Sequence, residues 1–296
     1  RRRGIGVELI DAEAGYFRLS FGGRQITCRE SLTELTTAVA MSRCDDKRIT
    51  HRVLGTAGLR VPEQIEPRDP IETEAFIARH QRVVVKPARG EQGYGVRVDL
   101  RSPMTVHAAV AALRDGGDAP LIEQMVAGED VRIIVIDYQF VAAATRRPAE
   151  VVGDGRHTLA ELIEKQSRRR QAATGGESRI PLDAETRACI ELQGVTLDDV
   201  LPEGRTMRVR KTANLHTGGT IHDVTERIRP ELREVAVRAA RALGIPVVGF
   251  DFMVPDLDGT DYVIIEANER PGLANHEPQP TAQRFIDLLF PQTRTQ

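Results

Sequence analysis

The pattern of apolar and polar positions is clearest near the end of the chain. Val247 to Val254 and Tyr262 to Ala267 are runs of β-branched and aromatic residues, and Asp256–Gly259 between them suits a hairpin turn. The stretch before it, 230–243, repeats Leu232, Val235, Ala240 and Leu243 at helical spacing. Earlier in the chain, residues 4–30 alternate through Val7, Leu9, Tyr16-Phe17-Arg18-Leu19 and Ile26, with Gly22-Gly23 as a hairpin turn. Ser31 to Met41 has a helical pattern, and Asp45 to Leu54 predicts a second helix with an Asp cap and a stop at Gly58. A helix over 71–80 precedes Arg82 to Lys86 (RVVVK), a buried strand. A helix over 103–114 ends near Gly116-Gly117 and leads to strands at 121–126, 131–136 and 140–144. Residues 151–216 form an excursion, opening with a turn and a helix in VVGDGRHTLAELIEKQ.

Length and composition narrow the class. A chain of 296 residues can bury a large core in two or three lobes, and 41% hydrophobic with 28% charged residues describes a soluble globular protein. The net charge of −2 and the absence of Trp argue against nucleic acid as the partner, despite the basic run Lys47, Arg48, His51, Arg52. Arg168-Arg169-Arg170 reads as a solvated helix face. No apolar run approaches the roughly 20 residues that cross a bilayer, so no membrane partner is expected. Cys28, Cys44 and Cys189 have no disulfide or zinc spacing, which points to a reducing cytoplasm. The chain starts at Arg1-Arg2-Arg3 without Met, the pattern of a piece of a longer protein with a further N-terminal domain.

Two stretches carry chemistry. The C-terminal hairpin would place Asp251 on one strand, with Glu266 and Asn268 at i and i+2 on one face of the next. Three oxygen side chains there make a hard-cation site; Mg²⁺ wants few protein oxygens and shares its shell with water and phosphates. The plainer reading is a polar hairpin with acidic edges. The second stretch is Pro87 to Val98, with glycines at 90, 93 and 95 that let backbone N–H groups approach phosphate oxygens. It fits neither a P-loop nor a dinucleotide fold, since no helix follows. A strand, a Gly loop and a strand, with Lys86 on the incoming strand, suggest a flap over a triphosphate, against an ordinary Gly hairpin. Leu121 to Val126, with one carboxylate and free backbone groups, suits an adenine edge, and a nearby Asp suits ribose hydroxyls. A further polar Gly loop runs from Val209 to Thr220.

Taken in order, these residues resemble the ATP-grasp family over nearly the whole span from Lys47 to His276. The matches are Lys47 opening a helix, VVVKP with Lys86, RGEQGYGV, IEQMVAGEDVR, and the set Asp251 with Glu266-Ala267-Asn268. VVGDGRHTLAELI, NLHTGG and NERPGLANH are similar to the cyanophycin-type and fused glutathione-type branches. HEPQPTAQRFIDLLFP is more similar to the branch that makes N-acetylglutaminylglutamine.

The resemblance implies an α+β fold of two subdomains clasping ATP. Residues 1–44 would be an N-terminal lobe remnant, 45–126 the first subdomain with the flap, and 127–296 the second, with an insertion around 151–208. It implies that Lys47 and Lys86 contact phosphates, Gly90, Gly93 and Gly95 form the flap, Glu123 and Val126 read adenine, and Asp130 takes the ribose. Asp251, Glu266 and Asn268 would hold Mg²⁺ (two ions, with Mn²⁺ as a substitute), Glu266 bridging. Arg146, Arg210 and Asn214 match positions at the γ-phosphate or the bound carboxylate, and His276 and Lys211 positions at substrate. Lys211 and His216 depart from the cyanophycin-type pattern, which leaves the acceptor open. The implied activity is an ADP-forming carboxylate–amine ligase on amino-acid or dipeptide substrates, with N-acetylglutaminylglutamine as product. The rivals are a glutathione- or cyanophycin-type peptide ligase, a phosphotransferase or carboxylase on the same fold, and a non-catalytic nucleotide module. A homo-oligomer is compatible with all of them.

Overall fold

The computed structural model describes residues 2–90, 93–176, 178–276 and 278–294. Glu91 and Gln92 of the expected flap, and Glu277 of the C-terminal motif, lie outside the described residues.

Residues 6–33 form an antiparallel sheet in chain order: β1 (Gly6–Asp11), β2 (Tyr16–Phe21), β3 (Arg24–Arg29) and β4 (Leu32–Thr33). The helix expected from Ser31 starts later. The chain is still strand and turn to Thr36, and α1 (Ala38–Asp45) begins where the Thr37 side chain caps it by accepting from Ala40 N. Asp46 then caps α2 (Lys47–Thr56), accepting from Arg48 N.

A smaller α+β unit follows: β5 (Gln64–Ile65), α3 (Pro70–His80), β6 (Val83–Pro87), β7 (Arg97–Leu100), α4 (Pro103–Asp115) and β8 (Pro120–Gln124). Its sheet runs β5-β8-β6-β7, and Phe76, Ile77, Val106, Val110 and Leu113 of the helices pack on Val83, Val85 and Ile122.

The larger unit opens with β9 (Glu129–Ile136) and β10 (Gln139–Arg147). The insertion comes next, with β11 (Glu150–Val152), α5 (Leu159–Ala173), α6 (Ala184–Glu191) and β12 (Thr206–Arg208). Thr158 and Glu161 close a capping box at the start of α5, and Leu159, Leu162, Ile163, Ile180 and Ile190 give the insertion a core of its own. The chain then returns through β13 (Thr220–Asp223), α7 (Pro230–Leu243), β14 (Val247–Val254), β15 (Val263–Asn268) and α8 (Thr281–Leu289). The central sheet runs β13-β10-β9-β14-β15, antiparallel throughout.

Alternation along these strands sorts the molecule into layers. Val131, Ile133, Val135, Val248, Phe250 and Phe252 face α7, α1 and α2 in one buried cluster with Ala40, Cys44, Leu54 and Leu243. Ile134, Ile136, Ala142 and Val247 face the other way, against Leu19, Ile26 and Cys28 of the N-terminal sheet and Phe285 and Leu289 of α8. This packing bears on two of the expected units. Residues 45–59, expected in the flap unit, bury Leu54 and Leu59 on the central sheet. The N-terminal sheet, expected as the remnant of a lobe, covers the second face of the central sheet. Which lobe buries a short helix depends on its three-dimensional neighbours, which local spacing does not encode.

Candidate active site

The second face of the central sheet turns from apolar to charged along its length. Strand register sets the change: Arg132 on β9 lies opposite Asp251 on β14, and Asp251 lies opposite Glu266 on β15. Asn268, two residues on, faces Gly249 and donates its Nδ2 to the Gly249 carbonyl at 3.1 Å. The i, i+2 pairing predicted for Glu266 and Asn268 therefore lands on the Asp251 side. On the other flank, Arg146 of β10 is opposite Asp130 of β9.

The carboxylates of Asp251, Asp130 and Glu266 each meet a cation. Arg132 grips both oxygens of Asp251, through Nε and through Nη2 at 3.2 Å. Arg146 Nη2 lies 2.8 Å from Asp251 Oδ2 and 2.7 Å from Asp130 Oδ1. Lys47, in the first turn of α2, places Nζ 3.1 Å from Glu266 Oε1 and donates to the Gly90 carbonyl at 3.0 Å. Burial pushes the Asp251 carboxyl up, but Arg132 and then Arg146 outweigh it and hold it below the usual range. For Asp130 burial wins, and with repulsion from Asp251 it raises the carboxyl despite Arg146. The ribose role expected of Asp130 meets a carboxylate already turned to Arg146.

His276 sits in a short 3₁₀ segment, 4% exposed. Burial, Arg132 and Arg146 drive its pKa down to about 4 against the opposing pull of Asp223, so the ring is neutral at pH 7. Gln279, just past it, donates to both oxygens of Asp223 at 3.3 and 3.2 Å.

The donor set fits Mg²⁺. Among the described residues no group of three or more His, Cys, Asp or Glu side chains could hold a metal ion by itself. What the paired strands offer is two carboxylates, Asp251 and Glu266, and one amide oxygen. Such a sparse oxygen set suits an ion that keeps water and binds phosphate oxygens, and is too poor for a closed cage.

In the smaller unit, Lys86 on β6 and Glu123 on β8 are both buried, with Nζ 2.6 Å from Oε2. Glu123, expected to read adenine, thus spends its carboxylate on Lys86, and Val126 follows β8 half-buried. His51 of α2 stands between the two units. Its Nε2 is 3.0 Å from the Ile265 carbonyl and its Nδ1 3.9 Å from Glu123 Oε2. Gly93 (φ 75°) lies against Asn214, where an added Cβ would be 3.7 Å from Nδ2; at Gly95 (φ 67°) it would be 2.6 Å from Leu113 Cδ2. This sets Gly93 of the expected flap beside the Asn214 loop and Gly95 against α4.

Arg210 departs from the expected grouping with Arg146. It is 4% exposed, and its Nη1 binds Asp183 at 2.9 and 3.0 Å and Thr186 Oγ1 at 2.9 Å, while Nη2 meets Glu185. Asp183 also caps α6, so Arg210 ties the Asn214 loop to the insertion. Lys211 is half-buried beside it, and Asn214 caps a 3₁₀ turn by accepting from His216 N. Arg170, read as solvated, instead donates to the Gly219 carbonyl at 2.6 Å and steadies the same loop.

The residue that sequence reasoning missed is Arg132. Its signal was present: one charged residue inside the apolar run VRIIVI. A charge in a buried strand needs a partner, but the partner lies 119 residues away.

The family model described as ATP-grasp domain matches residues 44–273. Cyanophycin synthetase of Trichormus variabilis is 32% identical over 293 residues, covering 94% of this chain and 32% of that protein. The glutathione biosynthesis bifunctional protein of Mannheimia succiniciproducens is 28% identical over 318 residues, covering 98% of this chain and 41% of that one. The chain thus spans about a third to two fifths of these relatives' length. Among solved structures, a bifunctional glutathione synthetase from Pasteurella multocida superposes with a TM-score of 0.66 at 25% identity, over 98% of this chain and 42% of that one. D-alanine–D-alanine ligase from Bacillus anthracis shares the fold, with a TM-score of 0.55 at 13% identity over 87% of this chain and 70% of that one.

Proposed function

Because this chain belongs to the ATP-grasp family, we propose that it is an ATP-dependent, ADP-forming carboxylate–amine ligase module that makes a peptide-like amide bond. The observation that carries the reading is the charged face on which Arg132, Arg146 and Lys47 converge on Asp251, Asp130 and Glu266. A substrate carboxylate attacking the γ-phosphorus of ATP brings anion to anion, and that approach needs fixed positive charge.

In this mechanism Lys47 and Lys86 bind phosphate oxygens, while Arg146 and Arg132 stabilise the transferring phosphoryl group and the donor carboxylate. Asp130 orients Arg146. Asp251, Glu266 and Asn268 would hold Mg²⁺, which would supply charge neutralisation at the phosphates. The glycine flap shuts out water, so that the acyl phosphate meets the amine before it hydrolyses. Attack by the amine then releases phosphate and leaves the amide. His276 and Lys211 line the substrate side.

For the substrates, we place an N-acetylated glutamine or glutamate as donor and a glutamine-type amine as acceptor, on the C-terminal motif HEPQPTAQRFIDLLFP. The second reading, a cyanophycin- or glutathione-synthetase-like peptide ligase, is favoured by the similarity to those two proteins. A coupled ADP assay across acetylated and free amino acids, with and without glutamine-type amines, tests both. ADP release that needs both an acetylated donor and glutamine supports the first; release with free amino acids or peptides alone selects the second. No amine-dependent ADP release with any pair would leave a nucleotide-binding module.

A further inference from the structure

We propose that Lys47 is the resident counter-ion of the Glu266 carboxylate, and that divalent metal and nucleotide enter this site together, by cation exchange. The proposal rests on the reading of Asp251, Glu266 and Asn268 as the metal face, and concerns the order in which that face is loaded.

Asp130, Asp251 and Glu266 supply three negative charges, and Arg132, Arg146 and Lys47 supply three positive ones, all joined by the ion pairs described above. These six groups balance one another as built. A divalent cation arriving alone would approach the Lys47 ammonium at the carboxylate it needs, without gaining an anion to compensate. A triphosphate carrying one dication is itself an anion. It brings the oxygens that Lys47 and the arginines can move to, as the metal takes over Glu266 and Asp251. The exchange keeps every charge paired throughout.

The geometry suits Lys47 to this part. Its side chain is 6% exposed but reaches out to Glu266, which is 27% exposed. The second contact of the ammonium is a single neutral carbonyl, that of Gly90. Moving Nζ therefore breaks one ion pair at the open side of the site and leaves no buried carboxylate behind.

The test is Mn²⁺ binding followed by electron paramagnetic resonance, with and without a non-hydrolysable ATP analogue, on the wild type, Lys47→Met and Lys47→Arg. The wild type should bind Mn²⁺ at least tenfold more tightly with the analogue than without it. Lys47→Met should bind Mn²⁺ without the analogue at least tenfold more tightly than the wild type, about 1.4 kcal/mol, while its affinity for the analogue falls. Lys47→Arg, which keeps the charge, should stay wild-type-like without the analogue. These opposite signs in one variant separate the effect from loss of fold, which would weaken both. If Lys47→Met gains no Mn²⁺ affinity while the wild type binds Mn²⁺ with the analogue, the counter-ion role is overturned. If the wild type takes up no Mn²⁺ even with the analogue, the metal face itself has been misassigned, a separate failure.

Discussion

The molecule contains two lysine–glutamate pairs that look alike in sequence and differ in burial. Lys86 and Glu123, 5% and 3% exposed at the side chain, are closed between two strands of the smaller sheet. Lys47 and Glu266, 6% and 27% exposed, meet where a helix end reaches over the edge of the central sheet. In the first pair neither charge can find water, so breaking it strands the other partner. In the second, the carboxylate can be hydrated or take a new cation. One pair is closed and costly to break and the other is open on its carboxylate side, although both lysines match phosphate-binding positions.

The largest effect expected is on turnover through the open pair. Glu266→Gln keeps shape and removes a charge of the proposed metal face. Steady-state ADP release should fall by roughly a thousandfold or more, since metal-borne charge neutralisation is worth several kcal/mol. The thermal midpoint should hardly move, because Lys47 keeps the Gly90 carbonyl. Turnover within a factor of a few of wild type would remove Glu266 from the metal set.

Next comes stability through the closed pair. Lys86→Met leaves Glu123 buried without its cation and should destabilise the fold by about 3–5 kcal/mol, while replacing both (Lys86→Met with Glu123→Leu) should restore most of that. Lys47→Met should cost about 1 kcal/mol, as for pairs open to solvent. Calorimetric melts of the four proteins measure this. Equal losses for the two lysines would erase the distinction.

A third handle is acid. Asp46, beneath Lys47 at the start of α2, is held down to about 2 by the Arg48 side chain against the opposing effect of burial, helped by the Arg48 backbone N–H. A carboxyl lowered on folding adds stability that is complete above its unfolded pKa near 4. That stability is lost as pH falls toward 2. The contribution is about 2 kcal/mol at pH 7, so Asp46→Ala should lower the melting point at pH 7 and flatten its fall between pH 5 and 2. A parallel fall in both proteins would refute it.

Much of this was legible from local signals. Helix 230–243 matches α7, strand 247–254 matches β14, and the Asp cap of α2 sits one residue from its predicted start. The i, i+2 spacing of Glu266 and Asn268 needs only the strand period, so it survived folding intact. What spacing does not carry is long-range. The Glu123 carboxylate and the Arg210 guanidinium are spent on partners that strand register and insertion packing supply. Arg132 went unnamed because its role exists only once β9 lies beside β14. Spacing fixes which face a residue takes; register decides whom it meets.

The smallest effect belongs to the link between the pairs. His51 rises from α2, one turn past Lys47, with Nε2 at the Ile265 carbonyl and Nδ1 toward Glu123. Burial lowers its pKa, Lys86 and its ammonium adding to that, while Glu123, the Ile265 carbonyl and Glu266 pull the other way. A ring kept neutral must donate from Nε2 to the Ile265 carbonyl, because only a donor satisfies a carbonyl. That fixes the tautomer and leaves Nδ1 without a proton to give Glu123. A His lowered on folding gives stability that is full above its unfolded pKa near 6.5 and wanes as pH falls below it. His51→Gln can keep the donor and should cost little, while His51→Ala loses the bond and should cost about 1 kcal/mol beyond its packing. If the bond carries the register between α2 and β15, Ala should also raise the KM for ATP more than Gln does, through Lys47. Imidazole nitrogen shifts in an NMR spectrum at pH 7 read the tautomer directly. A charged His51 there would mean that the closed pair and the open one share a proton, and the division between them would fail.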